Sequence, residues 1–214
     1  MDSLVGMGLD VEQHDGSRAP RGNIVFYYDF ASPESYLALE HLAKSIAAFA
    51  PELVPVREAD LDPLPWPDDG ARRANIESIA EGRDVLPLVW PADFPDIDTT
   101  DAVRVATYAK SIGKVAVFSL SLFRQIYAAG NDPADVTTIY LAAAASEIHP
   151  RAVDQALGRD RVQQDADAAT EAASAAGVTS VPALRIGQRL LVGPALLADA
   201  QAVMRDALEG YRDA

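Results

Sequence analysis

The feature of this sequence that most constrains its fold is a short apolar run that passes directly into the start of a helix. Residues 24–30 read Ile-Val-Phe-Tyr-Tyr-Asp-Phe, and residues 32–35 read Ser-Pro-Glu-Ser. Branched and aromatic residues favour a strand, whereas Ser followed by Pro favours a helix that begins at Pro33. Ligands of α/β proteins bind outside the carboxyl ends of strands, and a helix N-terminus attracts an anion. The segment therefore predicts an α/β fold with a ligand site at this corner.

The rest of the pattern predicts strands near both ends of the chain and helices between them. Residues 53–57 predict a second strand, parallel to the first through a βαβ connection, and Pro55 favours a sheet edge. Residues 181–193 predict a β-hairpin with its turn at Gly187-Gln188. Because neither β segment alone can cover its apolar faces, we expect all of them to share one sheet.

The predicted helices share three- or four-residue apolar spacing or a capping signal. They cover residues 33–49, 71–81, 99–112, 115–128, 134–145, 152–157, 162–176 and 195–208. Thr99 or Thr100 can cap the third of these helices, and the fifth is expected to be capped near Asp132 with Pro133 at its first position. His149 is expected in an exposed loop.

This order of elements predicts a thioredoxin-like α/β sheet that is interrupted by a large helical insertion. Residues 1–22 lack periodicity and are expected to form a flexible leader. We expect residues 23–59 and 161–214 to form the thioredoxin-like domain, and residues 60–160 to form the inserted helical domain.

An excess of acidic residues limits the partners of the chain. It has 18 Lys and Arg against 32 Asp and Glu, a formal net charge of −14, which disfavours nucleic acid and anionic lipid as partners. No apolar run approaches the roughly 20 residues that span a bilayer, and residues 1–10 do not resemble a secretory signal. We therefore expect a cytoplasmic protein that acts on a small molecule. Arg72-Arg73 is expected on a solvated helix face.

The chain contains no cysteine. Disulfides, thiolate metal sites and a redox cycle run by its own side chains are therefore excluded. It also lacks the spacings typical of phosphate-binding loops, serine-hydrolase elbows, dinucleotide sites and metal sites. Any thiol chemistry at the predicted corner requires a thiol from outside the chain.

Ser32 has two interpretations. In the structural one, Ser32 and Pro33 are simply a good helix start. In the functional one, the Ser32 hydroxyl and neighbouring N–H groups stabilise the thiolate of a ligand and lower its pKa. No His, Lys or Cys is obviously paired with Ser32, which argues against Ser32 as a nucleophile itself.

Val181-Pro182 lies just before the first strand of the predicted hairpin. In a thioredoxin-like fold the residue before a cis proline faces the helix start and offers its backbone to a ligand. We therefore predict a cis bond here, although cis occurs in only about 5–6% of X–Pro bonds. A ligand is expected between Ser32 and Val181.

Two further positions leave alternatives open. Trp90 and Phe94, in a Pro-rich connection, either form an apolar wall of a ligand pocket or seal the junction between insertion and sheet. Asp29 is either a buried carboxylate behind the predicted site or a turn-forming residue at the end of a strand.

Three short motifs mark the corner, the Pro-rich connection and the start of the hairpin. Residues 29–38 read D-F-A-S-P-E-S-Y-L-A, residues 88–95 read L-V-W-P-A-D-F-P, and residues 177–182 read G-V-T-S-V-P. These motifs resemble those of the 2-hydroxychromene-2-carboxylate isomerase and kappa-class glutathione transferase family, within the DsbA-like thioredoxin superfamily. The resemblance covers nearly everything after residue 22.

The resemblance implies a DsbA-like fold and a thiol-dependent activity. Ser32 would be the catalytic residue that stabilises the glutathione thiolate, and Val181 would pair with the backbone of glutathione. The thiolate would add reversibly to an unsaturated or electrophilic small molecule, giving isomerisation or conjugation. The family often pairs, so a homodimer is possible. The remaining positions implied to bind the cofactor are Phe30, Pro33, Ser35, Trp90 and Pro182.

The sequence departs from the family pattern after Gly193. There the family has an acidic residue that captures the amine of the γ-glutamyl group, whereas this chain has Pro194 and Ala195. Ala183 also replaces the usual Thr. The expected cofactor is therefore glutathione or another low-molecular-weight thiol. The alternative is a cysteine-less, non-catalytic DsbA-like scaffold that binds a small molecule or a partner.

Overall fold

A computed structural model of the chain describes residues 24–45, 51–61, 63, 68–193 and 196. The expected leader over residues 1–22 lies outside the described residues. So do the end of the first predicted helix and, apart from Leu196, the helix expected over 195–208.

The described residues form four strands and seven α-helices, with one 3₁₀ turn at Glu58–Asp60 after the second strand. In chain order they are β1 (Ile24–Tyr28), α1 (Pro33–Ser45), β2 (Glu52–Pro55), α2 (Asp69–Glu81), α3 (Thr100–Ser111), α4 (Val115–Tyr127), α5 (Val136–Ala145), α6 (Pro150–Gly158), α7 (Asp160–Ala175), β3 (Ala183–Ile186) and β4 (Arg189–Val192). Helices α2 to α7 all lie between β2 and β3, where the sequence pattern predicts a block of helices. The exact division at residues 60 and 160 stays a prediction.

The four strands form one sheet in the order β2-β1-β3-β4. Phe26 of β1 pairs with Leu53 of the parallel strand β2 and with Leu184 of the antiparallel strand β3. This arrangement confirms the parallel βαβ start, the edge position of β2 and the antiparallel hairpin of β3 and β4. At the hairpin turn, Gly187 has a φ of +58°, a conformation that glycine adopts without steric cost.

The two faces of β1 pack into different clusters because successive side chains of a strand point to opposite sides. Ile24, Phe26 and Tyr28 belong to the larger cluster, together with buried residues of α1, α3 and α4. Val25 and Tyr27 belong to a smaller cluster that includes Ala173 of α7 and Val181. Helices therefore cover the sheet from both sides, which explains why every residue of β1 is buried.

An aromatic group centred on Phe123 of α4 fixes the carboxyl end of β1. The Phe123 ring centroid lies 4.9 Å from that of Phe30 and 5.8 Å from that of Tyr28. The Tyr127 hydroxyl donates a hydrogen bond to the carbonyl oxygen of Phe30 at 3.0 Å, and the hydroxyls of Tyr28 and Ser119 are 2.6 Å apart. Helix α4 thus holds the segment that leads from β1 into α1.

Two helix starts differ from their predictions. Helix α5 begins at Val136 and is capped by Asp135, whose carboxylate accepts from the Thr137 N–H at 2.8 Å, so the cap predicted near Asp132 is wrong. Asp132 accepts from Ala134 in the preceding turn instead. His149 is exposed as predicted, but it caps α6 through its Nδ1 rather than belonging to a passive loop.

No helix in the described ranges is long and apolar enough to cross a membrane.

Replacing Phe123 with alanine should lower the free energy of unfolding by about 3–5 kcal/mol, because a fully buried ring is lost and a cavity is left. Urea denaturation followed by circular dichroism measures this loss. Val117→Ala is the matched control on the same helix, because Val117 is 52% exposed and should cost well under about 1 kcal/mol. Equal losses in the two variants would contradict the central role of Phe123.

Candidate ligand site at the start of helix α1

Ser32 is the N-cap of α1. Its Oγ accepts a hydrogen bond from the backbone N–H of Ser35 at 3.1 Å, and its carbonyl oxygen accepts from the N–H of Tyr36 at 3.2 Å. Pro33 occupies the first helical position, where its missing N–H costs nothing. Ser32 and Pro33 therefore form the helix start that the sequence predicts, and Ser32 is fully buried.

The fold also brings Ser32 and Val181 together, although 149 residues separate them along the chain. The Ser32 Oγ lies 3.5 Å from the carbonyl oxygen of Val181 and 3.1 Å from Oε2 of Glu34. The Val181-Pro182 bond is cis, as predicted. A second cis bond, Phe94-Pro95, was not foreseen from the sequence. The predicted juxtaposition of the helix start and the residue before the cis proline is confirmed.

Four other predicted site residues, Phe30, Pro33, Ser35 and Pro182, are all buried. Phe30 is fully buried in the aromatic group, and Pro33 and Pro182 are buried beside the corner. The carbonyl of Pro182 accepts from the N–H of Gly193 at 2.8 Å. Ser35 is fully buried, and its hydroxyl has no hydrogen-bond partner among the described residues. These side chains support the corner from within the protein.

Trp90 and Phe94 hold an arginine. Their ring centroids are 4.7 Å apart, and the guanidinium carbon of Arg73 lies 5.2 Å from the Trp90 centroid and 4.9 Å from the Phe94 centroid. The Trp90 Nε1 donates to Glu77 of α2 at 2.7 Å. These contacts attach the Pro-rich connection to α2, and the choice between a pocket wall and a seal against the sheet stays a prediction.

Arg72 forms a buried ion pair with Glu34. Its Nε and Nη2 donate to the two carboxylate oxygens of Glu34 at 2.8 and 2.7 Å, and the side chains are only 8% and 1% exposed. The prediction that Arg72-Arg73 forms a solvated helix face is therefore wrong. Helical periodicity could not predict this ion pair, because the partner of Arg72 lies on another helix, 38 residues away along the chain.

A cavity of about 850 Å³ opens beside this corner. That volume is typical of small-molecule sites. The residues of its wall that matter most to the chemistry are Asp29, Ala31, Glu58, Arg72, Thr99 and Val181. Ala31 and Val181 bring the wall next to Ser32, and residues 95–98 of the Pro-rich connection form another part of the wall.

Asp29 is a buried carboxylate behind the cavity rather than only a turn residue. Its Oδ2 accepts from the backbone N–H of Glu58 at 2.6 Å, and its Oδ1 accepts from the Thr99 hydroxyl at 2.7 Å. Burial raises the pKa of Asp29, although these hydrogen bonds offset part of the effect. Thr99 flanks α3 as predicted, but its hydroxyl binds Asp29 and makes no capping bond to the helix.

Glu58 is the functional candidate that the sequence interpretation missed. Its Oε1 accepts a hydrogen bond from the backbone N–H of Val181 at 3.0 Å. Burial raises the pKa of Glu58 to about 7, assisted by the negative charges of Asp29 and Glu34 and opposed by the Val181 N–H and by Arg72. A carboxyl group with this pKa can give up or accept a proton near neutral pH.

A signal for Glu58 was present in the sequence. The carboxyl ends of parallel neighbouring strands lie at the same edge of a sheet, so the residues after β2 belong to the same ligand-binding edge as those after β1. Applying this rule to the predicted second strand would have singled out Glu58. The described residues contain no group of three or more His, Asp or Glu that could hold a metal ion.

The family is settled by sequence. A family model described as a DsbA-like thioredoxin domain matches residues 23–209, which is most of the chain. The chain belongs to the DsbA-like thioredoxin domain family. No curated protein matches it in sequence.

Solved structures with the DsbA-like fold resemble this chain at low sequence identity. A 2-hydroxychromene-2-carboxylate isomerase has a TM-score of 0.76 and 20% identity, and the match covers 89% of this chain and 98% of the isomerase. A probable DsbA oxidoreductase from Streptomyces coelicolor has a TM-score of 0.60 and 18% identity, covering 87% and 89%. The cytosolic disulfide reductase DsbM from Pseudomonas aeruginosa, solved with GSH, has a TM-score of 0.59 and 16% identity, covering 87% and 98%. At these identities the likeness shows the fold alone, and it confirms the predicted thioredoxin-like fold with its helical insertion.

Arg72→Met should lower the free energy of unfolding by about 3–5 kcal/mol, because it leaves the Glu34 carboxylate buried without its cation. The double variant with Glu34→Leu should recover much of this loss, since no unpaired charge is then buried. Urea denaturation measures both. Arg161→Met is the control, because that arginine is 81% exposed in its pair with Asp165 and its loss should change stability very little. A loss no larger than the control would contradict the assignment.

The raised pKa of Glu58 predicts how stability depends on pH. Its pKa is about 7 in the folded protein against an ordinary 4.5, so between these values the folded state binds more protons than the unfolded state. Stability from this group therefore falls as the pH rises from about 4.5 to 7, by up to about 3 kcal/mol. The gain in stability of Glu58→Gln over the wild type should accordingly grow between pH 5 and pH 8 in urea denaturation. A pH-independent difference would show that the Glu58 pKa is not raised.

Proposed function

We propose that this protein is a thiol-dependent isomerase or transferase that uses an exogenous low-molecular-weight thiol such as glutathione. The thiol binds in the cavity beside the start of α1, and its thiolate adds to an unsaturated or electrophilic small molecule. Ser32 stabilises the thiolate, and Val181 holds the backbone of the thiol ligand. The product is an isomer if the thiolate leaves again, and a conjugate if it stays.

One observation carries the proposal. The Ser32 hydroxyl and the Val181 carbonyl lie 3.5 Å apart, in a DsbA-like chain that has no cysteine of its own, beside a cavity of about 850 Å³. The contact joins the N-cap of a helix to the backbone that precedes a cis proline. A sulfur at this place lies where the helix dipole favours a negative charge and lowers the pKa of a thiol.

The hydrogen bonds of Ser32 leave it able to respond to a ligand. Its Oγ accepts from the Ser35 N–H, so its proton is directed to Glu34 or to the Val181 carbonyl. The bond to Val181 is the longest of the three and therefore the easiest to exchange. Once the bound thiol has lost its proton, its thiolate accepts the hydrogen bond of the Ser32 hydroxyl in place of the Val181 carbonyl.

Relatives of this fold support the proposal by their chemistry. The 2-hydroxychromene-2-carboxylate isomerase is an isomerase of the same fold, and DsbM was solved with GSH. We further propose a cytoplasmic location, which agrees with DsbM being a cytosolic protein, and a homodimer as the assembly.

A second candidate function is a non-catalytic scaffold that binds a small molecule or a partner. One observation favours it: the backbone N–H and the carbonyl oxygen of Val181 both already have partners within the chain. The Val181 N–H donates to the Glu58 carboxylate at 3.0 Å, and the Val181 carbonyl oxygen lies 3.5 Å from the Ser32 hydroxyl. In this alternative the contacts between α1, the 3₁₀ turn and Val181 are permanent and no thiol enters.

Titration with glutathione and other small thiols, followed by ultraviolet thiolate absorbance at neutral pH, separates the two candidates. The absorbance should saturate in the wild type and fall at least tenfold in Ser32→Ala, because the hydroxyl donor is gone. Ser32→Gly should also lose the thiolate absorbance. It should keep most of the stability of α1, since glycine at an N-cap costs only about a few tenths of a kcal/mol.

Ser174→Ala is the matched control, because that serine is exposed on α7. It should retain the wild-type signal. A full signal in Ser32→Ala would contradict the role of Ser32. No signal with any thiol, in a wild-type protein that is folded by circular dichroism, would favour the non-catalytic scaffold.

A further inference from the structure

We propose that Glu58 is the base that accepts the proton of the incoming thiol and later returns it to the substrate. The inference rests on the proposed function and assigns its missing proton acceptor. A thiol must lose a proton before it can add to an electrophile, and Ser32, a hydrogen-bond donor to the thiolate, is not an acceptor for that proton. Glu58 lies on the wall of the same cavity, bound to the same backbone unit that Ser32 contacts.

The position of Glu58 is fixed from two sides. Its backbone N–H donates to Asp29 at 2.6 Å, which attaches the start of the 3₁₀ turn to the end of β1. Its Oε1 accepts from the Val181 N–H at 3.0 Å, which holds the carboxyl group against the residue before the cis proline. Both Glu58 and Val181 line the cavity. A thiol that reaches the corner therefore meets a carboxylate whose place is set by backbone hydrogen bonds.

The charges that face Glu58 come from every element packed around it. Asp29 at the end of β1 and Glu34 on α1 disfavour its ionised form, whereas Arg72 on α2 favours it. The cavity wall adds Arg57 from the end of β2 and two acids, Asp96 and Asp98, from the Pro-rich connection. Glu34 is paired to Arg72, so Asp29 is the neighbour that acts on Glu58 without a cation of its own among these groups.

The proton transfer balances without a further reactant. The ionised Glu58 takes the S–H proton, which leaves a neutral carboxyl group and a thiolate. The thiolate then forms a carbon–sulfur bond with the electrophilic substrate, and the electron pair of the attacked double bond moves to the neighbouring atoms. That carbanion or enolate takes the proton back from Glu58. In isomerisation the same steps run in reverse after rotation about the former double bond.

A thiolate and an ionised Glu58 at one site would repel each other, so formation of the first favours protonation of the second. This coupling predicts a distinctive pH dependence. Above pH 7, Glu58 is mainly ionised and takes up the thiol proton, so little acid reaches the solvent. Well below pH 7, Glu58 already holds a proton, so the proton of each thiol that ionises goes to the solvent.

The test counts the protons released per thiolate formed when glutathione binds to the full chain. A pH indicator in weak buffer reports the protons, and ultraviolet absorbance reports the thiolate. S-Methylglutathione, which has no ionisable thiol, corrects for protons that come from the other groups of the ligand. Glu58→Gln is the test variant, because an amide oxygen can still accept from Val181. Glu147→Gln is the control, since Glu147 is 87% exposed in its pair with Lys114.

At about pH 7.5, the wild type and the control should release fewer than about half a proton per thiolate, and Glu58→Gln should release about one. At about pH 6, the wild type should also release about one. Loss of thiolate in Glu58→Gln with unchanged S-methylglutathione affinity would support the proposal as well. One proton per thiolate in both wild type and Glu58→Gln at pH 7.5 would overturn it while leaving the proposed function intact. No thiolate in the wild type would overturn both.

Discussion

The carboxylate of Asp29 ties separate parts of the chain to the end of β1. One oxygen accepts from the backbone of Glu58 after β2, and the other accepts from Thr99 beside α3. Because Asp29 is buried, each of these hydrogen bonds replaces water that the carboxylate has lost on folding. Asp29 thereby helps to fix Glu58 at the cavity, together with the Val181 N–H that binds the Glu58 carboxylate.

Much of the fold could be predicted from the sequence because local signals and the fold agree. The apolar run of β1, the Ser32-Pro33 helix start and the Gly187 turn each specify their structure within a few residues. The cis bond before Pro182 was predictable from the order of elements. The capping of α5 was not, because Asp132 and Asp135 are both good caps and only the final turn geometry selects Asp135.

The polar interior of the site was much less predictable. Arg72 resembles a surface residue in the sequence, and its partner Glu34 looks like an ordinary first-turn acid that complements the helix dipole. Their pairing depends on how α2 packs against α1, which is information that a single sequence does not contain. The contacts of Trp90 and Phe94 with Arg73, which extends from α2 over both rings, were likewise not visible in the sequence.

Under the proposed function, a chain without cysteine needs one of the carboxylates of this corner as a proton acceptor. An enzyme whose nucleophilic thiol belongs to its own chain ionises that thiol without taking up a new proton from a ligand. An enzyme that uses the thiol of a ligand receives one thiol proton with every ligand that binds. A group in the cavity must accept that proton. Asp29 is deeply buried and already accepts hydrogen bonds from Glu58, Thr99 and Ala31, and Glu34 is neutralised by Arg72. Glu58, partly buried and bound by one backbone N–H, has the remaining capacity to accept a hydrogen bond from a ligand. The same burial that makes its ionised form unfavourable in the folded protein is what makes it a useful base near neutral pH.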